Sequence, residues 1–566
     1  MRSPVPPMNE ITIPLETLET LTALEGHPLA RDASLETVCA DIASRYDFLH
    51  PPAEVQLMDS MVRIRSASPS EEDQAEAGRL FERAGRRARD GEYERAAALC
   101  RQALSLQPAL HEARRELVRA YLETGDRANA QAALWQALGL NPRDTWALVT
   151  LAGLLVEGGE ADKAERLARM ALNHEPANAE ALDALGRAQL RAGHEQEALG
   201  AFERALSLKP QLTAARLGSA RALLRQNKPE ESLALLQDMF AEEGAASRPT
   251  QAITEARGLY AEAQEVLVRR DLDRMRRAVR DFGRRLEEQG GVPIRFCQAE
   301  DVWASLEVAW ANDTDYHLVS CQSCLPEPVR LHLTAHELMH LQTDLEAHHA
   351  GRLRAPGPAG NLTAGRGLFA GAAHDLRRLG LDPARLERVI DEALDFCQDE
   401  IQGRPLDMVV EARLRTELPI LAPAQFLSHR HFLPKPDSLD LNPLVRRVLP
   451  RPWLQGVEAL IGAFRLLADH LHGGATDFAA RYKTRPTFRL MEKLVTHCEA
   501  RFPDLGPGGH FDLVDEFAAQ LGMQGLCGWR YFPAPPAPAA HTEAYAAVEP
   551  TKEPMPEPEN PVLGLP

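Results

Sequence analysis

Proline, glycine and small apolar residues return at a constant spacing through the first half of the chain. Proline stands at four positions, each 34 residues after the last: Pro108, Pro142, Pro176 and Pro210. A turn residue, a small residue and an Ala-Leu pair follow the same spacing. These sets are Gly91, Gly125, Gly159, Gly193 and Asn227; Ala96, Ala130, Ala164, Ala198 and Ser232; and Ala103, Ala137, Ala171 and Ala205, each followed by leucine. Four sets of positions that share one period predict an internal repeat.

Each repeat is predicted to consist of two helices. The glycine lies at the turn between them, where a left-handed backbone is easiest for a residue without a side chain. The small residues let the paired helices approach closely. Proline ends the second helix because it has no backbone N–H to continue the hydrogen-bond ladder. One unit cannot bury its apolar face alone, so stacking of neighbours must supply the core.

This pattern resembles the tetratricopeptide repeat family over residues 75–244, as four full units and a less regular fifth. The resemblance implies an α-solenoid whose concave face binds peptides or proteins. A rigid spacer that binds nothing is the alternative, because fold analogy alone does not establish function.

Outside the repeats the amino-acid composition changes several times along the chain. Two short segments rich in β-branched and aromatic residues, VPIRFC and YHLVSC, are predicted to be strands. We therefore expect a mainly α protein in which an α+β domain with a small sheet follows the solenoid. The predicted divisions are an N-terminal segment and linker at 1–74, repeats at 75–244, a helical connector at 245–290, the second domain at 291–532 and a disordered Pro-rich tail at 533–566.

Composition limits the classes of partner. The net charge of −18 argues against nucleic acid, whose phosphates need a positive face. No stretch approaches the roughly 20 apolar residues that span a bilayer, and the N-terminus lacks the apolar core of a signal peptide. The eight cysteines are too sparse for a disulfide framework. We expect a cytoplasmic protein that binds neither nucleic acid nor membranes.

Candidate chemistry lies in the stretch LTAHELMHLQTDLEAHHA, residues 333–350. It contains His336, Glu337 and His340 in the pattern H-E-x-x-H. Residues four apart share one face of a helix, so both imidazoles can reach one Zn²⁺ ion, and Glu337 can take a proton from a zinc-bound water. The competing interpretation is an amphipathic helix with surface histidines.

A probable strand before this helix strengthens the zinc interpretation, because strand-then-helix order resembles the zincin metallopeptidases. That resemblance implies an active-site helix under a small sheet whose edge strand holds substrate. The stretch HELMHLQTD is also similar to the thermolysin motif, which makes Asp344 a candidate group supporting a zinc-bound histidine. His332, one turn before His336, is expected to be a flanking surface histidine.

The third zinc ligand is predicted to be Glu411. A metzincin would need glycine and histidine where this chain has Thr343 and Glu346. Some gluzincins place their third ligand, a glutamate, on a later helix. Glu411 lies in the middle of such a helix, which is predicted over 406–418, after the break QGRP. Arg415 departs from that pattern, since gluzincins often carry an acid there. The rival ligands are His374, Glu400, His348 and His349.

Two further sets of residues have open roles. Cys321 and Cys324 form a single CxxC, interpreted as a turn after the strand, with a metal or redox role as the alternative. Hydrolysis also needs a group that stabilises the oxyanion. The options for that group are His429, Arg430, His431, His470 and His472.

The leading functional hypothesis is a zinc-dependent peptidase-like protein in which the repeats bind a protein or peptide. The alternative is a non-catalytic interaction scaffold with a degenerate zincin-like domain. A third possibility is a regulator that cleaves one specific partner.

Overall fold

The structure is a computed structural model that describes residues 8–29, 34–49, 52–243, 250–357, 369, 382–433 and 443–532. The chain divides into two compact units, Met1–Ser232 and Leu233–Pro566. The tail expected to be disordered lies outside the described residues. Among the described helices, none is long and apolar enough to cross a membrane.

A small α/β module opens the first unit, in a segment where the sequence showed little pattern. Its elements are β1 (Met8–Pro14), α1 (Leu15–Glu25), α2 (Leu35–Ser44), β2 (Glu54–Met58) and β3 (Met61–Ala67). The strands form an antiparallel sheet in the order β1-β3-β2. Apolar side chains from both strands and helices, including Ile13, Ile42 and Ile64, close its core.

Ten helices follow as five antiparallel pairs, which confirms the predicted repeats. They are α3 (Glu71–Arg89), α4 (Tyr93–Leu106), α5 (His111–Glu123), α6 (Arg127–Leu140), α7 (Thr145–Glu157), α8 (Ala161–His174), α9 (Ala179–Ala192), α10 (Glu195–Leu208), α11 (Thr213–Arg225) and α12 (Pro229–Glu243). The five predicted turn residues all have a positive φ, between 58° at Asn227 and 86° at Gly193. The small residues from Ala96 to Ser232 are fully buried, so the helices do meet there.

The boundary between the units falls within α12, and the second unit continues with one long helix, α13 (Gln251–Gly290), and a three-stranded sheet. The sheet order is β4 (Ile294–Ala299), β6 (His317–Gln322), β5 (Ala304–Glu307), with β4 parallel and β5 antiparallel to β6. Both predicted strands are therefore confirmed, as β4 and β6. Between β5 and β6 lies the short α14 (Ala309–Asn312).

Helices make up most of the remainder. They are α15 (Glu327–His349), α16 (Pro383–Glu417), α17 (Ala422–Phe432), α18 (Pro443–Val448), α19 (Arg451–Leu471), α20 (Phe488–Arg501) and α21 (Gly509–Leu521). A two-stranded sheet pairs β7 (Arg354–Pro356) with β8 (Trp529–Tyr531). One apolar core joins α13, α15, the sheet and the end of α16, and another joins α16 to α19, α20 and α21.

The helix break expected at QGRP is wrong, because α16 continues through Pro405. Proline removes one backbone hydrogen bond and disfavours a helix interior. Here both halves of α16 pack in apolar cores, with Ile401, Met408 and Val409 buried, and this packing outweighs the local preference. The continuous helix carries Asp407 and Glu411 towards α15.

Candidate metal centre

Two helices supply the polar groups of the site. Along α15, His332, His336 and His340 recur every fourth residue, so their side chains lie on one face. Across from them, α16 presents Asp407 and Glu411, which are also one turn apart. The two helices share apolar core, which holds these faces together.

Three atoms that could each bind a metal ion lie close together between α15 and α16. His336 Nε2 lies 3.2 Å from His340 Nε2. Asp407 Oδ1 lies 3.5 Å from His336 Nε2 and 3.3 Å from His340 Nε2. The three atoms therefore form a nearly equilateral triangle. A tetrahedral zinc ion with bonds of about 2.0–2.1 Å places its ligand atoms about 3.3–3.4 Å apart, so this donor set fits zinc in size and chemistry.

Glu411 lies at the opposite edge of the His336 ring. Its Oε1 is 2.8 Å from His336 Nδ1, so it can accept that N–H and leave Nε2 free to coordinate. Its Oε2 accepts from Gln425 Nε2 at 2.7 Å and lies 3.2 Å from His332 Nε2 and 3.1 Å from His429 Nε2. Four side chains thus surround one buried carboxylate.

Further hydrogen bonds support the groups that surround the Glu411 carboxylate. His429 Nδ1 lies 3.0 Å from His472 Nε2, next to the end of α19. Gln425 also donates to the backbone carbonyl of Glu411 at 3.0 Å, which fixes the orientation of its amide. His429 and His472 are buried, so an oxyanion role would require substrate to reach the interior. Their position indicates instead that they hold Glu411.

The site favours a positive charge between its two carboxylates. Burial opposes the charged form of His336, but hydrogen bonds to Asp407 and Glu411 raise its pKa well above the usual value. Burial also opposes the Asp407 carboxylate, yet hydrogen bonds from His336 and His340 hold its pKa well below the usual range. Burial lowers the pKa of His332, although the neighbouring Glu411 carboxylate opposes that shift. A positive charge at this position is therefore favoured by both neighbouring carboxylates.

A second, overlapping donor set consists of His332, His336 and Glu411. It would use His336 Nδ1, whose hydrogen already has Glu411 as an acceptor. The Glu411 oxygen facing His332 also accepts from Gln425. The set of His336, His340 and Asp407 is more open to solvent, with side chains 13%, 22% and 26% exposed, and so is accessible to a metal and a substrate.

Glu337 follows His336 directly on α15 and lies close enough to β6 to influence a buried thiol there. Burial raises the pKa of the Cys321 thiol to about 11, and the nearby Glu337 carboxylate contributes to that rise. Cys321 is the fifth residue of β6 and pairs with Ala304 of β5. Cys324 is exposed in the turn beyond β6.

Asp344 is not brought to the histidine pair. Its Oδ1 lies 3.7 Å from His510 Nε2, on α21. Asp344 is eight residues after His336, or about 12 Å further along the helix axis, and there its carboxylate meets α21 instead of α16. Among the described residues, Glu411 provides the carboxylate contact to a motif histidine that was expected of Asp344.

The remaining candidates are placed elsewhere. Glu400 pairs with Arg404 at 2.8 Å, and His348 stacks on Trp310 at 5.6 Å. His349 is exposed. Arg430 pairs with Glu265, His431 lies against Phe432, and His470 pairs with Glu499. His374 lies outside the described residues.

Sequence reasoning missed Asp407 and misjudged His332. His332 is 2% exposed and contacts Glu411, so the expectation of a surface histidine is wrong. Asp407 had a usable signal, since it lies four residues before Glu411 and must share its helix face. A helix that began only after QGRP would have had Asp407 in its first turn, whereas the residue lies in the interior of α16.

Comparison with known proteins bears on the repeats. The tetratricopeptide repeat family model matches residues 125–188 and 189–252. Similar solved structures include MamA from Desulfovibrio magneticus RS-1, at 17% identity over 30% of this chain and 98% of that one, with a TM-score of 0.28. Pseudomonas aeruginosa pilF is similar at 19% identity over 35% and 93%, with a TM-score of 0.29. A thermophilic TPR protein of Thermus thermophilus is similar at 21% identity over 33% and 98%, with a TM-score of 0.28. No curated protein matches the chain. The first unit carries tetratricopeptide repeats, a fold that generally binds proteins or peptides.

Proposed function

We propose that the second unit is a zinc-dependent hydrolase of peptide bonds and that the repeats bind a protein or peptide partner. The observation that carries the proposal is the triangle of His336 Nε2, His340 Nε2 and Asp407 Oδ1. Glu337 is the residue directly after His336 on the same helix. A purely structural metal site has no need of a carboxylate beside it that stays free of the metal.

The roles of the side chains follow from their positions. His336, His340 and Asp407 would hold the ion. A bound zinc ion would supply Lewis acidity, which polarises a carbonyl and lowers the pKa of water. Glu337 would accept the proton of the attacking water and return it to the leaving amine.

Glu411 would position His336 rather than bind the metal. By accepting from Nδ1 it selects the tautomer whose Nε2 lone pair faces Asp407 and His340. His332, His429 and Gln425 would keep Glu411 ionised and immobile. Arg404 Nη1, 3.6 Å from Asp407 Oδ2, would hold the second oxygen of that carboxylate away from the ion.

The proposed roles of Asp407 as a metal ligand and Glu411 as a positioning residue can be tested separately. Zinc content and affinity would be measured in purified full-length Asp407→Ala and Glu411→Gln, together with turnover of a broad peptide library. Loss of a ligand should abolish stoichiometric zinc in Asp407→Ala. Loss of an orienting contact should weaken zinc binding roughly 10–100-fold in Glu411→Gln. Full zinc affinity in Asp407→Ala would refute the proposed ligand set.

The alternative function is a non-catalytic scaffold whose second unit retains the fold of a hydrolase. The repeats favour it, because they supply binding without any chemistry, and Arg415 departs from the gluzincin pattern. Zinc-loaded wild-type protein that cleaves no member of the library, and whose partner binding survives Glu337→Gln, would support the scaffold.

A further inference from the structure

A pocket of about 460 Å³ lies in the second unit, where α13, α17 and the residues after α19 meet. Arg257 lines it from α13, and Phe426 and Arg430 line it from α17. Arg465 of α19 and most of the segment 475–481 complete the lining. The volume is typical of pockets that bind small molecules. None of the proposed metal ligands lines this pocket, so it is a separate candidate site.

The charged side chains around the pocket are mostly cationic. Among the described residues that line it, one is acidic, Asp477, and four are arginine: Arg257, Arg430, Arg465 and Arg481. This excess of positive charge occurs in a chain whose net charge is −18. Arginine suits oxyanions, because its planar guanidinium donates two parallel hydrogen bonds to a carboxylate or phosphate. Four cations around one cavity favour a doubly charged phosphate group over a singly charged carboxylate.

One wall of the pocket is held in place by a buried carboxylate behind it. Asp469 accepts hydrogen bonds from Thr476 Oγ1 at 2.6 Å and from the backbone N–H groups of Phe478 and Ala479 at 2.9 and 3.0 Å. These bonds use both oxygens of the carboxylate. The wall that carries Asp477 and Phe478 is therefore formed before a ligand binds, which reduces the cost of ordering it.

Two of the arginines have partners that an incoming anion can replace. Arg257 Nη1 lies 2.8 Å from Asp477 Oδ2, and the Asp477 side chain is 55% exposed. Arg430 Nη1 lies 3.3 Å from Glu265 Oε1, in a pair whose side chains are about half exposed. Exposed pairs contribute little to stability, so exchanging them costs little. Arg257 Nε is also buried without a hydrogen-bond partner among the described residues, and such a donor calls for a ligand or a water.

Part of the lining is apolar. Phe426, Leu433 and Phe478 line the same space as the arginines. A ligand with an apolar body beside its phosphate would cover these side chains, whereas inorganic phosphate would leave them in contact with water. The pocket therefore fits a phosphate monoester of a small apolar or aromatic group.

Helix α17 contributes side chains both to this pocket and to the metal centre. Gln425 and His429, which are four residues apart, contact Glu411. The next residue in each case, Phe426 and Arg430, lines the pocket. A ligand that shifts or immobilises this helix would therefore change the contacts of the Glu411 carboxylate.

A ring contact also joins the pocket to the histidines around Glu411. Phe426 packs edge-on against His472, with ring centroids 5.1 Å apart. His472 Nε2 lies 3.0 Å from His429 Nδ1, and His429 Nε2 lies 3.1 Å from Glu411 Oε2. Since Glu411 orients His336, a change at Phe426 has a continuous set of contacts to the metal centre.

We propose that this pocket binds a small phosphate monoester with an apolar body, and that its occupancy changes the zinc affinity of the metal centre. The binding site is independent of the proposed hydrolase, whereas the effect on zinc rests on the proposed metal centre. Coupling between two sites is reciprocal, so zinc should change the affinity for the phosphate monoester by the same factor.

The test measures the binding of phenyl phosphate to the full-length protein by calorimetry. We expect it to bind roughly tenfold more tightly than inorganic phosphate, which has no apolar body, and more tightly than benzoate, which has one negative charge. Arg430→Gln should weaken binding roughly tenfold, because it removes a charged hydrogen-bond donor. Arg269→Gln is the matched control, since Arg269 is exposed on α13 and does not line the pocket.

A second variant gives a result that damage to the fold cannot imitate. Asp477→Asn removes the acidic side chain that lines the pocket and releases Arg257, so phenyl phosphate should bind more tightly than to the wild-type protein. His336→Ala separates the pocket from the metal. Phosphate bound in the pocket is retained in that variant, whereas phosphate bound to a zinc ion is lost.

The coupling is measured as the affinity for phenyl phosphate with and without one equivalent of zinc. We expect a change of roughly fivefold or more in the wild-type protein. Phe426→Leu keeps an apolar side chain but removes the ring that meets His472, so it should retain binding and reduce the zinc effect.

The outcomes separate this inference from the proposed function. Binding that Arg430→Gln and Asp477→Asn both leave unchanged, or that is absent from the wild-type protein, would refute the pocket as a phosphate site. Equal affinity with and without zinc, in protein shown to bind zinc, would refute the coupling alone. Binding of phenyl phosphate by a protein that takes up no zinc would refute the metal centre and retain the pocket.

Discussion

The repeats and the candidate metal centre differ in the side chains that predominate in their interiors. Between the repeat helices the buried groups are mostly alanine and leucine, and ion pairs such as Lys209–Glu180 remain on the surface. In the metal centre, His332, Glu411 and His429 are between 2% and 4% exposed. Buried ionisable groups are costly, and apolar residues of similar size often serve stability as well or better. This concentration of buried ionisable groups is what makes the second region the candidate functional site.

The two regions also differ in how far apart their contacting residues are in the chain. A repeat packs on its neighbours, so its contacts recur within one or two periods. In the candidate metal centre, His336 meets Glu411 across 75 positions, and His332 meets it across 79. A substitution in the core of the repeats should therefore change stability and leave metal binding unchanged. A substitution in the candidate metal centre should change metal binding.

The largest effect is expected from His336→Ala. It removes the imidazole that both carboxylates contact, so stoichiometric zinc should be lost, as measured by metal analysis of the purified protein. His349→Ala is the matched control, because His349 is on the same helix but exposed. Equal zinc content in the two variants would contradict the proposed site.

Glu337→Gln should separate chemistry from metal binding. The amide keeps the size of the side chain but cannot accept the proton of water, so turnover should fall roughly 10²–10⁴-fold. Zinc content should stay at the wild-type value, since Glu337 is not one of the proposed ligands. Retained turnover in this variant would remove Glu337 from the mechanism.

Gly186→Ala should affect the repeats and leave zinc binding unchanged. A Cβ at Gly186 in α9 would lie 2.7 Å from the Phe202 ring of α10, so overpacking should lower the free energy of unfolding by about 1–3 kcal/mol. Gly85→Ala in α3 is the control. A Cβ there meets no atom within 4 Å, and alanine should raise helix stability by up to about 1 kcal/mol. Denaturant unfolding of both variants measures the difference, and equal shifts would contradict the packing argument.

The smallest effect is expected from Lys209→Met. The ammonium lies 2.8 Å from Glu180, but both side chains are about half exposed, at 53% and 51%. Solvent and salt screen such pairs, so the change in unfolding free energy should be below about 0.5 kcal/mol and should shrink further as salt increases. A loss of several kcal/mol would show that surface pairs hold the repeats together.

Predictability differed between the regions for a physical reason. Local geometry recurs wherever a short unit recurs, so the sequence indicated the left-handed turns at Gly125 and Gly193 and the buried contacts of Ala130 and Ala164. The N-terminal sheet gave no such signal, because β1 and β3 pair across two intervening helices. The course of α16 was misjudged because tertiary packing overrode the local effect of Pro405.

From the sequence alone came the repeat period, the helix that bears His336, Glu337 and His340, and an acid on a later helix as a partner. The tertiary structure decided which carboxylate meets which nitrogen. An imidazole ring has two nitrogens on opposite edges, and Asp407 and Glu411 lie one turn apart on the same helix face. Only the packing of α16 against α15 places Asp407 at Nε2 and Glu411 at Nδ1.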